Sequence, residues 1–418
     1  MIKKFIYSKT TQKEIDAYID KINNIELKVT PKIISIINKV KNQGDAALLE
    51  YAKVYDKANL KSLKVPAEAI KKAYKSVDKT VLLAMKKAIE NIKAFHKMQK
   101  ANINGYVYQN KGYKITQKYI PVDIAGLYIP GGQAPLFSTV FMAGLPAKIA
   151  GVKRVVLLSP PRHNGEVAPH ILAAADMIGI TEIYRVGGAQ AIAALAFGTQ
   201  TIPKADKVAG PGNIYSTMAK KYLFGTVGVD ALNGPSEVTL IADETANPKY
   251  IIYDLLAQAE HINGHALLLT TSQTLATAVE KGIKAAAGNM KIQVTIVIVK
   301  DLNTAVKIAN KKAPEHLVII TEAAETVAAA ITNAGAIFTG NYSPVAFGDY
   351  MAGANHILPT NGTARFFSGL SVLDFLKHTH IVEGTKIGIE AFGPDTEVLA
   401  NAEGMKFHAE SVRVRRKK

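Results

Sequence analysis

Apolar residues recur at spacings of three and four, with lysines between them, over residues 11–22, 31–41, 44–55 and 80–100. This is the pattern of helices that each bury one stripe. From about residue 119 the pattern changes to short apolar runs closed by Gly or Pro, at 124–128, 154–158, 182–186 and 207–208, alternating with alanine-rich helical stretches. A second series of runs occupies 237–242, 266–270, 294–299, 317–321 and 336–339. Such alternation predicts βαβ units with parallel strands, so the chain reads as an all-helical entry followed by two α/β sheets.

Composition narrows the class. A chain of 418 residues, 48% hydrophobic and 20% charged, is long enough for two or more cores and is neither disordered nor a coiled coil. Residues 124–147 carry no charge over a length that could span a bilayer, but Pro130, Gly131, Gly132, Gln133, Pro135 and Pro146 interrupt any such helix. The start of the chain has no export signal, so a cytoplasmic protein with no membrane partner is expected. The net charge of +17 is carried almost wholly by the first 118 residues, where 25 lysines, no arginine and 10 acidic residues give +15. Lysines scattered over helices read as a solvated face rather than a nucleic-acid site, which favours arginine forks. The basic tail from Arg413 to Lys418 reads as a frayed terminus.

The chain contains no cysteine. Disulfides and thiolate metal sites are excluded, and any metal must be held by His, Asp, Glu or Gln. Oxidation of an aldehyde through a thiol adduct is excluded too, leaving activated water. Against this background the segment Ala313-Pro-Glu-His-Leu317 stands out, because Glu315 and His316 side by side can share acid/base work. A helix opening at Asn247-Pro248 and stopping at Asn263-Gly264 carries Gln258 and His261 three apart, a spacing that can give two ligands to one ion. Asp254 on the same face reads as solvated. Asp349 and His356 lie in a glycine-rich segment, and seven of the ten histidines follow residue 260. His408 and Glu403 read by position as surface residues. No Gly-x-Gly-x-x-Gly follows a strand, but three glycine turns close strands: 128–132, 186–190 and 210–213, the last opening a helix whose free N–H groups could face phosphate.

These residues together resemble the histidinol dehydrogenase family over nearly the whole chain. The resemblance rests on Gly44-Asp-Ala-Ala-Leu-Leu-Glu-Tyr-Ala52, Gly126-Leu-Tyr-Ile-Pro-Gly-Gly132, residues 186–198, Gly210-Pro-Gly-Asn213, Gly234-Pro-Ser-Glu237, Gln258-Ala-Glu-His261, Ala313–Leu317, and Gly348-Asp-Tyr350 through Leu358-Pro359, in the family's order.

The resemblance implies an NAD-dependent, zinc-containing homodimer that oxidises L-histidinol through L-histidinaldehyde to L-histidine, the last steps of histidine synthesis. It implies Gln258, His261, Asp349 and His408 as zinc ligands that also meet the substrate, His316 as general base, and Glu315 as activator of water. Ser236, Glu403 and His356 become further substrate contacts, and Tyr128, Gln190 and Asn213 cofactor contacts. The implied fold has two incomplete Rossmann-like parallel-sheet domains, 24–127 with 238–370 on the zinc and substrate side and 128–237 on the NAD side. A helical arm at 1–23 precedes them, and a small dimerisation unit at 371–418 crosses to the partner subunit, bringing His408 and Glu403 to the neighbour's site. Two other readings stay open on the residues alone. A zinc hydrolase or deaminase would use Glu315 on a metal-bound water without NAD, and a basic nucleic-acid binder would show strongly salt-dependent affinity.

Overall fold

A computed structural model describes residues 2–7, 10–24, 29–131 and 135–416. In chain order its strands are β1 (Ile2–Ile6), β2 (Tyr106–Gln109), β3 (Tyr113–Pro121), β4 (Ile124–Tyr128), β5 (Arg154–Ser159), β6 (Ile183–Arg185) and β7 (Lys207–Ala209). They continue with β8 (Gly228–Val229), β9 (Glu237–Ala242), β10 (His265–Thr270), β11 (Gln293–Ile298), β12 (His316–Ile320), β13 (Ala336–Thr339) and β14 (Leu376–Gly384). Two parallel sheets result, one of six strands ordered β1-β11-β10-β9-β12-β13 and one of five ordered β6-β5-β4-β7-β8. The expected pair of α/β sheets is therefore present.

Both sheets are covered on both faces. The five-stranded sheet packs against the helices Lys79–Ala101, Ser138–Ala150 and Pro169–Met177 on one side and Pro31–Gln43 and Gly188–Phe197 on the other. The six-stranded sheet lies between Pro248–Ala259 with Gln273–Ala286 and Gln12–Asn23 with Leu302–Lys312. Strands buried on two faces need continuous apolar runs, and β9 is buried at every position. Among the described residues no helix is long and apolar enough to cross a membrane.

The structure corrects the arm and the domain division, and adds detail elsewhere. The arm at 1–23 begins not as helix but as β1, an edge strand with Ile2 paired to Val294. Its five residues are too few to show a period, and its two lysines are what an exposed edge tolerates. The division at 127/128 does not follow the packing, since β4 is the central strand of the five-stranded sheet. The helices between Pro31 and Ala101 also pack on that sheet rather than on the six-stranded one. The unit at 371–418 contributes β14 to an antiparallel sheet ordered β14-β3-β2, which the apolar pattern does not announce because β2 and nearly all of β14 are exposed. Among the described residues no helix spans 124–147, as expected, and Pro146 lies inside the short helix Ser138–Ala150. Its missing N–H leaves the Met142 carbonyl without a helical donor, and Asn355 Nδ2 donates to that oxygen at 2.6 Å. Gly132, in the first glycine turn, Gln133 after it, and the terminal Lys417-Lys418 fall outside the described residues.

Candidate active site

The helix Leu302–Lys312 ends at Ala313, whose φ of 47° and ψ of 63° place a non-glycine residue in the left-handed region. Pro314 cannot continue the helix. The chain turned this way enters β12 with Glu315 just before the strand and His316 as its first residue. β12 runs beside β9 with His316 opposite Val238, so Glu237, the first residue of β9, lies against both.

The main-chain N–H of Glu237 donates to Glu315 Oε2 at 2.8 Å, and the Glu315 N–H donates to Glu237 Oε1 at 3.3 Å. His316 Nδ1 lies 3.1 Å from the Glu237 carbonyl oxygen. That oxygen can only accept, so Nδ1 carries the proton and, in the neutral ring, Nε2 is the basic nitrogen. Nε2 is buried with no hydrogen-bond partner, 3.5 Å from Asp349 Oδ1. A lone pair and a carboxylate facing each other need a proton or another cation between them.

The charges follow from burial. Desolvation raises the Glu315 carboxyl to about 8, opposed by the His316 charge. Desolvation works against the His316 imidazolium as well, but Glu315 and Asp349 outweigh it and hold the ring at about 9. Neutralising Asp349 would remove one of the two carboxylates that keep the His316 proton in place.

Gln258 occupies the last turn of the helix Pro248–Ala259, buried, with its Oε1 unpartnered. His261 lies beyond the helix end, in the turn closed by the Gly264 N–H on the His261 carbonyl at 2.8 Å, so the shared-face argument from spacing does not describe it. A Cβ on Gly264 would strike the Gln258 carbonyl oxygen, so the turn requires glycine. Asp349 sits in the helix Val345–Tyr350. The Tyr350 hydroxyl is raised first by burial and then by Asp349 and by Glu260, the residue that caps the Gln258 helix. The orphaned buried amide oxygen of Gln258, the Asp349 carboxylate facing a lone pair and the exposed His261 imidazole are donors of the N/O type that zinc takes. Among the described residues no group of three or more His, Asp or Glu side chains closes within the chain. His408 and Glu403 lie exposed on the hairpin formed by the helices Lys386–Ala402 and Lys406–Arg416.

His356 stands where the chain crosses from the six-stranded to the five-stranded side. Its Nδ1 lies 3.0 Å from the Asp349 carbonyl oxygen and its Nε2 lies 3.5 Å from Thr139 Oγ1. Burial pushes the ring below the usual imidazole range. Asn355, bonded to the carbonyl freed by Pro146, fixes this crossing. Ser236 lies half-buried in the loop entering β9, which is tied to the same crossing segment by Asn233 Nδ2 on the Leu358 carbonyl at 2.7 Å.

The five-stranded sheet reverses its strand order between β4 and β7, and ligands of such sheets bind in the crevice beyond the carboxyl ends of those strands. Tyr128 ends β4, and its hydroxyl accepts the Gly188 N–H at 3.0 Å, with Gln190 buried in the same helical turn. Gly210 follows β7 at φ 119°, where a Cβ would strike the Tyr128 carbonyl oxygen. Asn213 caps the next helix, its Oδ1 accepting from Tyr215 and Ser216 N–H at 3.0 and 3.2 Å. The buried pair Lys220–Asp230, 2.6 Å apart, holds the Gly210 main chain from both sides.

Sequence reasoning missed Glu237, Lys312, Lys220 and Asp230. Glu237 lies next to Ser236 in a motif that was singled out, yet nothing marks its side chain as buried. A buried lysine has no signature in a chain with 51 Lys and Arg.

Two doubly covered parallel sheets, with a switch-point crevice on one and a buried carboxylate–imidazole pair at the start of β12 in the other, define a protein of the α/β class. The sequence model of histidinol dehydrogenase matches residues 20–416. The histidinol dehydrogenase of Caldanaerobacter subterraneus is 44% identical, covering 99% of each chain. That of Methanococcus maripaludis is 42% identical, covering 98% of each. The crystal structure of histidinol dehydrogenase from Elizabethkingia anophelis superposes with a TM-score of 0.92 at 37% identity, covering 99% of this chain and 97% of that one. The chain belongs to the histidinol dehydrogenase family, oxidoreductases of histidine biosynthesis.

Proposed function

We propose that this protein carries out the NAD-dependent four-electron oxidation of L-histidinol to L-histidine through L-histidinaldehyde. The observation that carries the proposal is the buried Glu315–His316 pair, with His316 Nδ1 tied to Glu237 and Nε2 facing Asp349 at 3.5 Å, so that neutralising the Asp349 charge would release the Nε2 proton and leave that nitrogen as a base. In the first step His316 Nε2 takes the hydroxyl proton of the alcohol and gives it up to solvent before the second step. In the second, Glu315 takes a proton from water as its oxygen adds to the aldehyde carbon, and His316 takes the proton of the resulting hydrate. With no cysteine in the chain, hydration rather than thiol addition is the route open to the aldehyde.

NAD supplies the hydride acceptor in each step, and the β4–β7 crevice with Tyr128, Gln190 and Asn213 is where the chain would hold it. Zinc, when bound, supplies a fixed anchor for the substrate's amine and imidazole. Gln258, His261 and Asp349 would hold it, the orphaned Gln258 Oε1 supporting the assignment. His408 would come from the partner subunit together with Glu403. In support, the hairpin that carries them is apolar on its outer side, with Ile387, Val398, Leu399 and Phe407 exposed, Phe407 to 84%. Ser236 and His356 would complete the substrate contacts from the two chain crossings.

The test is absorbance of NADH on mixing the protein with L-histidinol and NAD, before chelation, after it, and after zinc is returned. NADH that disappears on chelation and returns with zinc is expected. Zinc-dependent turnover of another substrate without NAD would place the protein with the hydrolases.

A further inference from the structure

We propose that Lys312 and Glu237 act as positioning residues for the Glu315–His316 pair, an inference that rests on the acid/base roles given to that pair above. Their side chains are almost completely buried, 1% and 4% exposed, with Lys312 Nζ 2.5 Å from Glu237 Oε2. The second bond of the ammonium goes to Asn23 Oδ1 at 2.8 Å, and Asn23 Nδ2 donates to the Lys312 carbonyl at 3.0 Å. The other oxygen of Glu237, Oε1, accepts the Glu315 N–H. One carboxylate thus grips both ends of the turn Lys312-Ala313-Pro314-Glu315, at the ammonium that closes the helix and at the peptide that opens β12.

That turn aims the acid/base pair. Its left-handed Ala313 is a conformation that persists only where the surroundings over-determine it, and the grip on both ends provides this. Glu237 also meets the pair through its main chain, by the N–H to Glu315 Oε2 and the carbonyl to His316 Nδ1. A shift of the Glu237 side chain is therefore passed to three bonds that set the carboxylate and the ring. Stability alone does not account for the arrangement, because a buried ion pair is commonly matched by apolar residues of similar volume. What the pair adds is one geometry.

The experiment uses the double variant Glu237→Leu/Lys312→Met in the full-length holoenzyme, since a single change would strand a buried charge and unfold the turn. The double variant is expected to melt near the parent and to keep the parent KM for histidinol and NAD within a few fold. Its kcat should fall about 10²-fold, the scale of a displacement of about 1 Å at reacting groups. A purely structural pair would leave kcat alone once the protein is folded. The second readout is independent of turnover: the downfield Nδ1–H proton signal of His316, assigned by its loss in His316→Asn, should be present in the parent and shifted or exchanged away in the double variant. A folded double variant with the parent kcat, or with an unchanged ring signal, overturns the proposal. A parent that makes no NADH from histidinol overturns the reading of the reaction instead, and the ring signal still decides whether the clamp sets the pair.

Discussion

Replacing Glu315 by Gln separates the two oxidation steps and moves activity and stability in opposite directions. The amide oxygen can keep the bond that Glu315 Oε2 accepts from the Glu237 N–H at 2.8 Å, so the turn is retained. What disappears is the base for water, which acts in the deprotonated form that prevails above about pH 8. A positioned base contributes roughly 10²–10⁴-fold, about 3–5 kcal/mol of barrier, and the loss should fall on L-histidinaldehyde, with alcohol oxidation much less affected. Stability moves the other way. Burial raises the folded carboxyl to about 8, well above the usual carboxylate range. A group raised in the fold contributes fully below its unfolded value and loses that contribution as the pH rises toward the folded one. At pH 7 the folded state therefore still bears the cost of burying this group, on the order of a few kcal/mol. Gln has no such penalty, so Glu315→Gln in the metal-free protein should melt higher than the parent at pH 7 and close to it at pH 4.5. The assays are NADH formation from the alcohol and from the aldehyde, with thermal unfolding at the two pH values. A variant that oxidises the aldehyde at the parent rate, or that melts lower at pH 7, would refute the reasoning.

Further outcomes follow from the same geometry. His265 is depressed to about 4, first by burial and then by Lys312; its neutral form gives stability that is complete above pH 6.5 and lost as the pH falls toward 4, up to about 3 kcal/mol. The fall in Tm between pH 7 and pH 4.5 should be smaller in His265→Gln than in the parent. Gly210→Ala places a Cβ at φ 119° against the Tyr128 carbonyl, a strain of about 1–3 kcal/mol, and should raise the KM for NAD with a smaller effect on that for histidinol. His408→Asn and His261→Asn should each be inactive as homodimers, while mixing the two under subunit exchange should restore about a quarter or more of the parent activity if the tail crosses between subunits, because one site of each mixed dimer is then intact; no recovery would place His408 in its own subunit's site.

Much of the fold could be read because its physics is periodic. β4 and β9 are doubly buried strands, and their apolar runs match the observed bounds residue for residue. β1, β2 and β14 could not be read this way, since strands at edges or exposed faces carry lysine, tyrosine and threonine without a buried run. The site was legible where an unusual pair adjoined in sequence, as at Glu315–His316, and through family likeness elsewhere. Spacing misled at His261, because a helix that stops at Ala259 leaves an i,i+3 partner in the turn. The Lys312–Glu237 clamp joins residues distant in sequence through side chains of ordinary type, and only the strand order that sets β12 beside β9 brings them together.

The central claim is a four-electron oxidation at one site that hydrates its own aldehyde without a thiol. The most direct measurement is the number of NADH formed per L-histidine released from L-histidinol, with free aldehyde trapped and quantified in parallel. Two NADH per histidine with no aldehyde escaping is predicted; one NADH per histidinol with the aldehyde accumulating as the product would contradict it.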